Sequence, residues 1–455
     1  MGSSLEKVFE AIDDRFERSV EELKELLRIP TLSIEGKGIE EGARYVQGLL
    51  ARAGLEARML LSSDQPGGPP VVYGEREGPP GGRTVLLYGH YDVQSPGDEA
   101  LWTSPPFEPT VREGRLYARG SADNRGQFFA HLKALEALDQ AGAQVPVRVK
   151  MILEGEEEVG SPHLEAFVRA HPDLLRADVV YSADGGMHPS GRPTVFLGAR
   201  GILPVRVVAR GPKRDVHSGT YGGAVPNPAW RLVAFLAGLR DARGRVRIPG
   251  FYDDVRPLGA ADREALARLP DEEEKILRDL GLDALSDDHE GRFSERVMFQ
   301  PNLNVRGLEG GSRNTIIPAW VAANLDVRLV PHQKADDIFT KICAHARREG
   351  FGDLEIIREG GYNPSSTPPD HPDARAVVRA TSLAWAEEAL VVPSLGGSVP
   401  DYVFTEILGL PSIWGAYANH DMNNHAPDEN LRLDCFRNAI RTTAAALFEL
   451  AGVGS

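Results

Sequence analysis

Apolar residues in this chain recur with two periods. From Leu5 to Leu27 they return at helical spacing, and Arg28-Ile29-Pro30 closes the segment, because the residue before a proline is pushed out of the helical region. A second amphipathic helix is predicted near Glu40 to Ala53; Gly54-Leu55 then leads into a strand, and a Pro/Gly-rich loop spans Ser62 to Pro70. The period then shortens. Thr84 to Tyr88 is a short apolar strand ending at Gly89-His90-Tyr91-Asp92, and Val147 to Leu153 is a second, β-branched and buried, ending in Glu154-Gly155-Glu156-Glu157-Glu158. A turn-rich approach from Leu116 to Asp123 precedes a helix from Asn124 to Leu138, Pro162 to Ala170 is helical, and Asp178 to Tyr181 is a strand ending at Ser182-Ala183-Asp184. Strands alternating with helices of this length predict an α/β fold with a mostly parallel sheet.

The pattern changes near Gly201. Val205 to Ala209 reads as a strand, Gly211 to Pro228 as a Gly/Pro-rich loop and Ala229 to Leu239 as a helix. Ala260 to Leu285 is charged and helical, an insertion expected to lie over the surface. Trp320 to Val330 alternates as a strand, Ala335 to Arg348 is helical, and Leu354 to Arg358 is another strand. The proline-punctuated loop Gly360 to His371 leads back to helices at Ala374 to Glu387 and Leu433 to Ala451. The expected organisation is a larger domain from residues 1–200 and 366–455, interrupted by a smaller α+β domain at 201–365.

A length of 455 residues suits two cores. Lys and Arg number 51 against 66 Asp and Glu, a net charge of −15, which argues against a nucleic-acid backbone or an anionic membrane as partner. The two cysteines, Cys343 and Cys435, have no metal-type spacing and argue against a disulfide framework. With no signal-like N-terminal segment and no long apolar run, a soluble, cytoplasmic protein is expected.

Candidate chemistry sits at the strand ends, where open α/β sheets place ligands. Three adjacent carboxylates, Glu156 to Glu158, at the mouth of an apolar strand repel one another, and an unpaired carboxylate near a core is costly unless a cation or donors compensate it. His90 and Asp92 point the same way by strand alternation, so Asp92 can fix the imidazole's tautomer. Asp123 precedes a helix, and Asp184 and His425 complete the set. Singly, each has a structural explanation: an N-cap aspartate, a solvated glutamate, a loop histidine. Jointly, two histidines and several carboxylates suit divalent zinc, manganese or cobalt.

At these residues the sequence resembles the dinuclear metallohydrolases that include acetylornithine deacetylase, succinyl-diaminopimelate desuccinylase, glutamate carboxypeptidases, aminoacylase and the carnosinase-type dipeptidases. The carrying motifs are Gly89 to Val93, Gly120 to Gly126, Glu154 to Ser161, Ser182-Ala183-Asp184 and His425 to Leu431, in the family's order. His217 to Gly223, Arg328-Leu329-Val330-Pro331 and Gly396-Gly397-Ser398-Val399-Pro400 point to the carnosinase-like dipeptidase branch.

The resemblance implies a zinc-peptidase-like catalytic domain with an inserted dimerisation (lid) domain, and two divalent ions per chain, zinc first, with Mn²⁺ or Co²⁺ as alternatives. His90, Asp123 and Asp184 would hold one ion and Asp123, Glu158 and His425 the other, with a cis bond after Asp123. Glu157 would be the general base and Asp92 the orienter of His90. His217 would reach the neighbouring subunit's site in a homodimer. Arg328, Thr315, Gly397 and Ser398 would hold the substrate's C-terminal carboxylate. The implied reaction is hydrolysis of dipeptides or short peptides, the alternative being an N-acyl amino acid deacylase or desuccinylase with the same centre. Two departures stand out: Arg125 where many relatives have lysine, and Leu395 where several dipeptidases have an acidic residue ahead of the Gly-Gly-Ser loop. His131, His163 and His188 read as surface or core histidines.

Overall fold

In the computed structural model, which describes residues 2–61, 68–286 and 290–454, the apolar strands resolve into two main sheets with separate cores. Of the expected Pro/Gly-rich loop, residues 62–67 lie outside the described residues. The larger sheet has eight strands in the order Glu56–Leu60, Val71–Arg76, Arg148–Glu154, Thr84–His90, Val179–Ala183, Ser412–Ala416, Thr194–Phe196 and Leu390–Val392. Its centre is parallel: Thr84–His90 pairs in parallel with Arg148–Glu154 and with Val179–Ala183, which pairs in parallel with Ser412–Ala416. Antiparallel pairings flank that centre, joining the first three strands and setting Ser412–Ala416 against Thr194–Phe196. The sheet is therefore mixed. Glu56–Leu60 and Val71–Arg76 are joined by too short a link for a parallel crossover, which needs a dozen residues or more.

Burial on both faces explains why the central strands read as unbroken apolar runs. Val85 and Leu87 face a core with Phe128, Leu132 and Leu447, whereas Leu86 and Tyr88 face the opposite one with Leu164, Phe167 and Phe404. The single N-terminal helix expected to Leu27 is two helices, Gly2–Asp14 and Phe16–Leu27, because Arg15 leaves the helical region at φ −113°.

The second sheet is antiparallel throughout, ordered Asn302–Gly310, Trp320–Leu329, Gly201–Arg210 and Glu355–Arg358. Leu203, Val205 and Val207 pack there with Phe235, Ile338 and Ile342 from the helices Pro228–Gly238 and Ala335–Arg348. The segment 260–285 forms two helices, Ala260–Arg268 and Glu273–Leu280. It departs from the surface position expected of it: Leu266 and Leu269 are buried in the larger core, and Ala260–Arg268 packs on the strand Leu390–Val392. No helix among the described residues is long and apolar enough to cross a membrane.

Candidate active site

Six side chains from separate chain segments converge at the C-terminal ends of the parallel strands. His90 ends its strand and is fully buried; its Nδ1 lies 3.2 Å from Asp92 Oδ1, which turns Nε2 toward the cluster. From Nε2 it is 3.1 Å to Asp123 Oδ1, 3.7 Å to Asp184 Oδ2 and 3.9 Å to Glu157 Oε2. The other oxygen of Asp123 lies 3.1 Å from His425 Nε2, which in turn is 3.1 Å from Glu158 Oε2. Asp123 thus stands between the two imidazoles.

Each position has a local cause. The strand Arg148–Glu154 ends in a single 3-10 turn at Glu157–Val159, which frees the adjacent glutamates from strand alternation; Gly160, at φ 90°, closes the turn in a region that favours glycine. Asp92 accepts hydrogen bonds from the backbone N–H of Glu157 at 3.2 Å and of Glu158 at 3.1 Å, so one carboxylate holds both His90 and the glutamate turn. The Asp123–Asn124 peptide is cis. Asp123 is not the N-cap: Asn124 takes that position without a side-chain cap bond, its Oδ1 accepting from His90 N and its Nδ2 donating to Ala183 O.

The electrostatics are those of crowded carboxylates around two imidazoles. Burial, with Asp184, Asp123 and Glu158 nearby, raises the Glu157 carboxyl well above its ordinary range against the pull of His90, and burial and Asp123 raise that of Glu158. Asp123 moves the other way: burial opposes its charge, but the hydrogen bonds to His425 and His90 outweigh it. Hydrogen bonds that His425 makes to Asp123 and Glu158 push it up to about 10, and His90 is raised because its bonds to Asp123, Asp184 and Asp92 outweigh burial. Ligand atoms of His90, Asp123 and Glu158 lie within 4.8 Å of one another. Imidazole nitrogens and carboxylate oxygens, with excess negative charge, form a donor set that fits a divalent cation.

One organising residue had only a faint trace in the sequence. Glu429 is fully buried and accepts from the backbone N–H groups of Gly120, Ala122 and Asp123 at 3.0, 2.9 and 3.0 Å, and from Arg119 Nη1 at 2.7 Å. It holds the turn that presents Asp123; its only signal was an acidic residue in the His425 stretch. Glu429→Ala should cost about 3–5 kcal/mol, since it leaves a buried guanidinium unpaired. Urea unfolding of the metal-free protein measures this, and an unchanged midpoint would refute the assignment. Arg125 is also buried, donating to the carbonyls of Tyr91, Leu26 and Ile29.

The remaining candidates form two further groups. Arg328 Nη1 donates to Ser398 Oγ at 3.0 Å, and Gly397 O accepts from Arg200 N at 3.2 Å, joining the second sheet to the Gly-Gly-Ser loop. His217, on the two-residue ladder Val216–His217 with Ile316–Ile317, and Thr315, just before that ladder, are exposed neighbours, with Ser218 N donating to Thr315 O at 2.9 Å. Among the described residues, no hydrogen bond or ion pair links His217 or Thr315 to the His90 cluster.

Comparison with known proteins agrees with this arrangement. The model of "Peptidase family M20/M25/M40" matches residues 86–449, a span that holds every residue of the cluster. The chain is 28% identical to the Cys-Gly metallodipeptidase dug1 of Schizosaccharomyces pombe over 100% of both chains. It is 29% identical to the Beta-Ala-His dipeptidase of Rattus norvegicus over 79% of this chain and 78% of that one. Among solved structures, the M20 family metallo-carboxypeptidase Sso-CP2 from Sulfolobus solfataricus superposes with a TM-score of 0.86 at 33% identity, covering 95% of this chain and 99% of that one. With the family's pattern running from the strand of His90 past the loop of His425, the chain belongs to the M20/M25/M40 peptidase family, a metallopeptidase in its carnosinase-like dipeptidase branch.

Proposed function

We propose that the protein hydrolyses the amide bond of dipeptides or short peptides bearing a free C-terminal carboxylate. The observation that carries this reading is the cluster in which Asp123 stands between buried His90 and exposed His425 with Glu157, Glu158 and Asp184 around it. In this reading His90, Asp123 and Asp184 hold one divalent ion, and Asp123, Glu158 and His425 a second, zinc being the first choice. Such a pair, when bound, lowers the pKa of water and polarises a carbonyl. Glu157 takes the proton of the water that adds to the carbonyl carbon and delivers it to the amine nitrogen as the C–N bond breaks. Asp92 keeps His90 in register.

Arg328, with Ser398 and the Gly397 backbone, grips the substrate's carboxylate in a planar fork. Arg328→Lys should therefore lower kcat/KM for dipeptides while leaving metal content unchanged, and C-terminally amidated dipeptides should be poor substrates. Equal rates on free and amidated forms would sink this part of the reading. The wider test assays purified protein with added Zn²⁺, Mn²⁺ or Co²⁺ on dipeptides and N-acyl amino acids. Cleavage of N-acyl amino acids alone would transfer the assignment to a deacylase.

A homodimer completes the proposal, with residues 201–365 as the dimerising insert between catalytic segments 1–200 and 366–455. Its support is that His217 and Thr315 are exposed and adjacent, with Ser218 N donating to Thr315 O, and that among the described residues no hydrogen bond or ion pair joins them to the His90 cluster. His217 and Thr315 then serve the site of the partner, His217 facing the developing oxyanion. His217→Ala should lower kcat with metal retained. Mixing it with Glu157→Gln should restore part of the activity, since one site of the heterodimer carries neither defect. A fully active monomer would exclude this arrangement. The free cysteines Cys343 and Cys435 support a cytoplasmic protein.

A further inference from the structure

We infer that a cavity beside the metal cluster receives an apolar side chain on the carbonyl side of the scissile bond, so that the protein favours substrates whose N-terminal residue is large and apolar. This rests on the peptidase reading above and names its substrate class. Two segments leave the candidate site and meet in one wall. Gly186 and Met187 continue from Asp184, and Leu395 and Gly396 run into Gly397-Ser398; both pairs line a cavity of about 220 Å³. An apolar cavity of about 150 Å³ holds a benzene ring, so this volume admits a leucine or phenylalanine side chain.

The walls are suited to that occupant. Leu269 and Val297, from the chain between the two sheets' strands, close the cavity against Phe196. Val297 is pressed onto Gly396: a Cβ at residue 396 would lie 2.8 Å from Val297 Cγ1, so the close approach depends on the glycine. Gly186 packs against the backbone of the neighbouring loop, where a Cβ would lie 3.1 Å from Asn419 O, and Leu395 adds an apolar side chain to the lining. No lysine or arginine lines the cavity; its charged or titratable groups are Asp271, Glu272 and His188, the last with Nε2 3.6 Å from Glu272 Oε2. An anionic group is thereby disfavoured and an apolar one desolvated.

The orientation follows from the two ends of the substrate. Arg328 and Ser398 hold the carboxylate end, whereas the Gly186–Met187 wall continues directly from Asp184, whose Oδ2 is 3.7 Å from His90 Nε2. The cavity therefore serves the carbonyl side, where the N-terminal residue sits.

The test measures kcat/KM of the metal-loaded protein on Gly-Gly, Ala-Gly, Leu-Gly and Phe-Gly, for wild type and for Val297→Trp, whose indole fills the cavity. From Gly-Gly to Leu-Gly the wild-type value should rise by at least about tenfold, the scale of discrimination a hydrophobic pocket gives. Val297→Trp should erase that rise, bringing Leu-Gly down to the Gly-Gly value of the same variant. Calorimetry with a non-cleavable reduced-amide analogue of Phe-Gly should show tight binding to wild type that Val297→Trp loses. Equal kcat/KM across the wild-type series, which requires no variant to fold, overturns the cavity's role, as does a folded Val297→Trp that keeps the preference. Failure to cleave any member of the series with any of the three metals overturns the peptidase reading as well.

Discussion

Stripped of divalent cations by a chelator, the protein should lose all peptidase activity and recover it when Zn²⁺, Mn²⁺ or Co²⁺ is returned. Elemental analysis of the active form should find two ions per chain. The expectation comes from a group of buried and half-buried carboxylates that face one another, with His90 and His425 as the cationic partners seen among the described residues. The metal-free chain shows the sign of the linkage. His425 is pushed up to about 10, so it holds a proton at neutral pH, and His90 and Glu158 are raised in the same direction. Ligands must shed those protons to bind, so uptake should release protons and weaken as the pH falls. Titration calorimetry in buffers of different ionisation enthalpy reads that release. Full activity in protein shown to be metal-free would end the metallopeptidase mechanism for this chain.

Replacing Glu157 by glutamine should lower kcat by about 10²–10⁴-fold, the usual range for a general base, with metal content kept. Glutamine preserves the shape of the side chain and its place on the turn held by Asp92, and removes only the proton acceptor. Glu158→Gln, by contrast, alters a side chain that touches His425 Nε2 at 3.1 Å and should weaken metal retention. If Glu157→Gln loses metal and Glu158→Gln does not, the two roles are exchanged. A Glu157→Gln protein with near wild-type kcat would leave the reaction without its base.

Strand-end residues were the most legible part of the site, because strand alternation and the helix that follows decide where they point. His90, Asp92, Asp184 and the glutamate turn lie where the pattern puts them. Asp123 was ambiguous between cap and ligand; the fold gives the cap position to Asn124 and sets one Asp123 oxygen against each histidine. Glu429 was nearly invisible because its function is to receive N–H groups from a loop far away in sequence, which no local pattern encodes. The strand Asn302–Gly310 was missed for a different reason: it is a sheet edge with Leu303 its only buried apolar residue, and its short Leu303–Val305 alternation breaks at the irregularity between Val305 and Gly307. Leu266 and Leu269 sit in a segment whose many charges masked its buried face. His217 and Thr315 drew meaning from the family resemblance alone, since their own chain offers them no catalytic neighbour.

The place of Ser412–Ala416 in the larger sheet bears on how the protein comes into being. This strand lies between Val179–Ala183 and Thr194–Phe196, so two strands adjacent in the chain are held apart by one made much later. On the ribosome, Thr194–Phe196 has no sheet to join until residue 416 has emerged, and Leu390–Val392, which pairs with it, waits as well. Such long-range pairing is slow to form and exposes strand edges meanwhile. His425 and Glu429 follow that strand within the same late segment. The nascent chain therefore carries His90, Asp123 and Asp184 long before it carries His425 and Glu429, and the cluster that these side chains form in the fold can close only after the strand Ser412–Ala416 has been made.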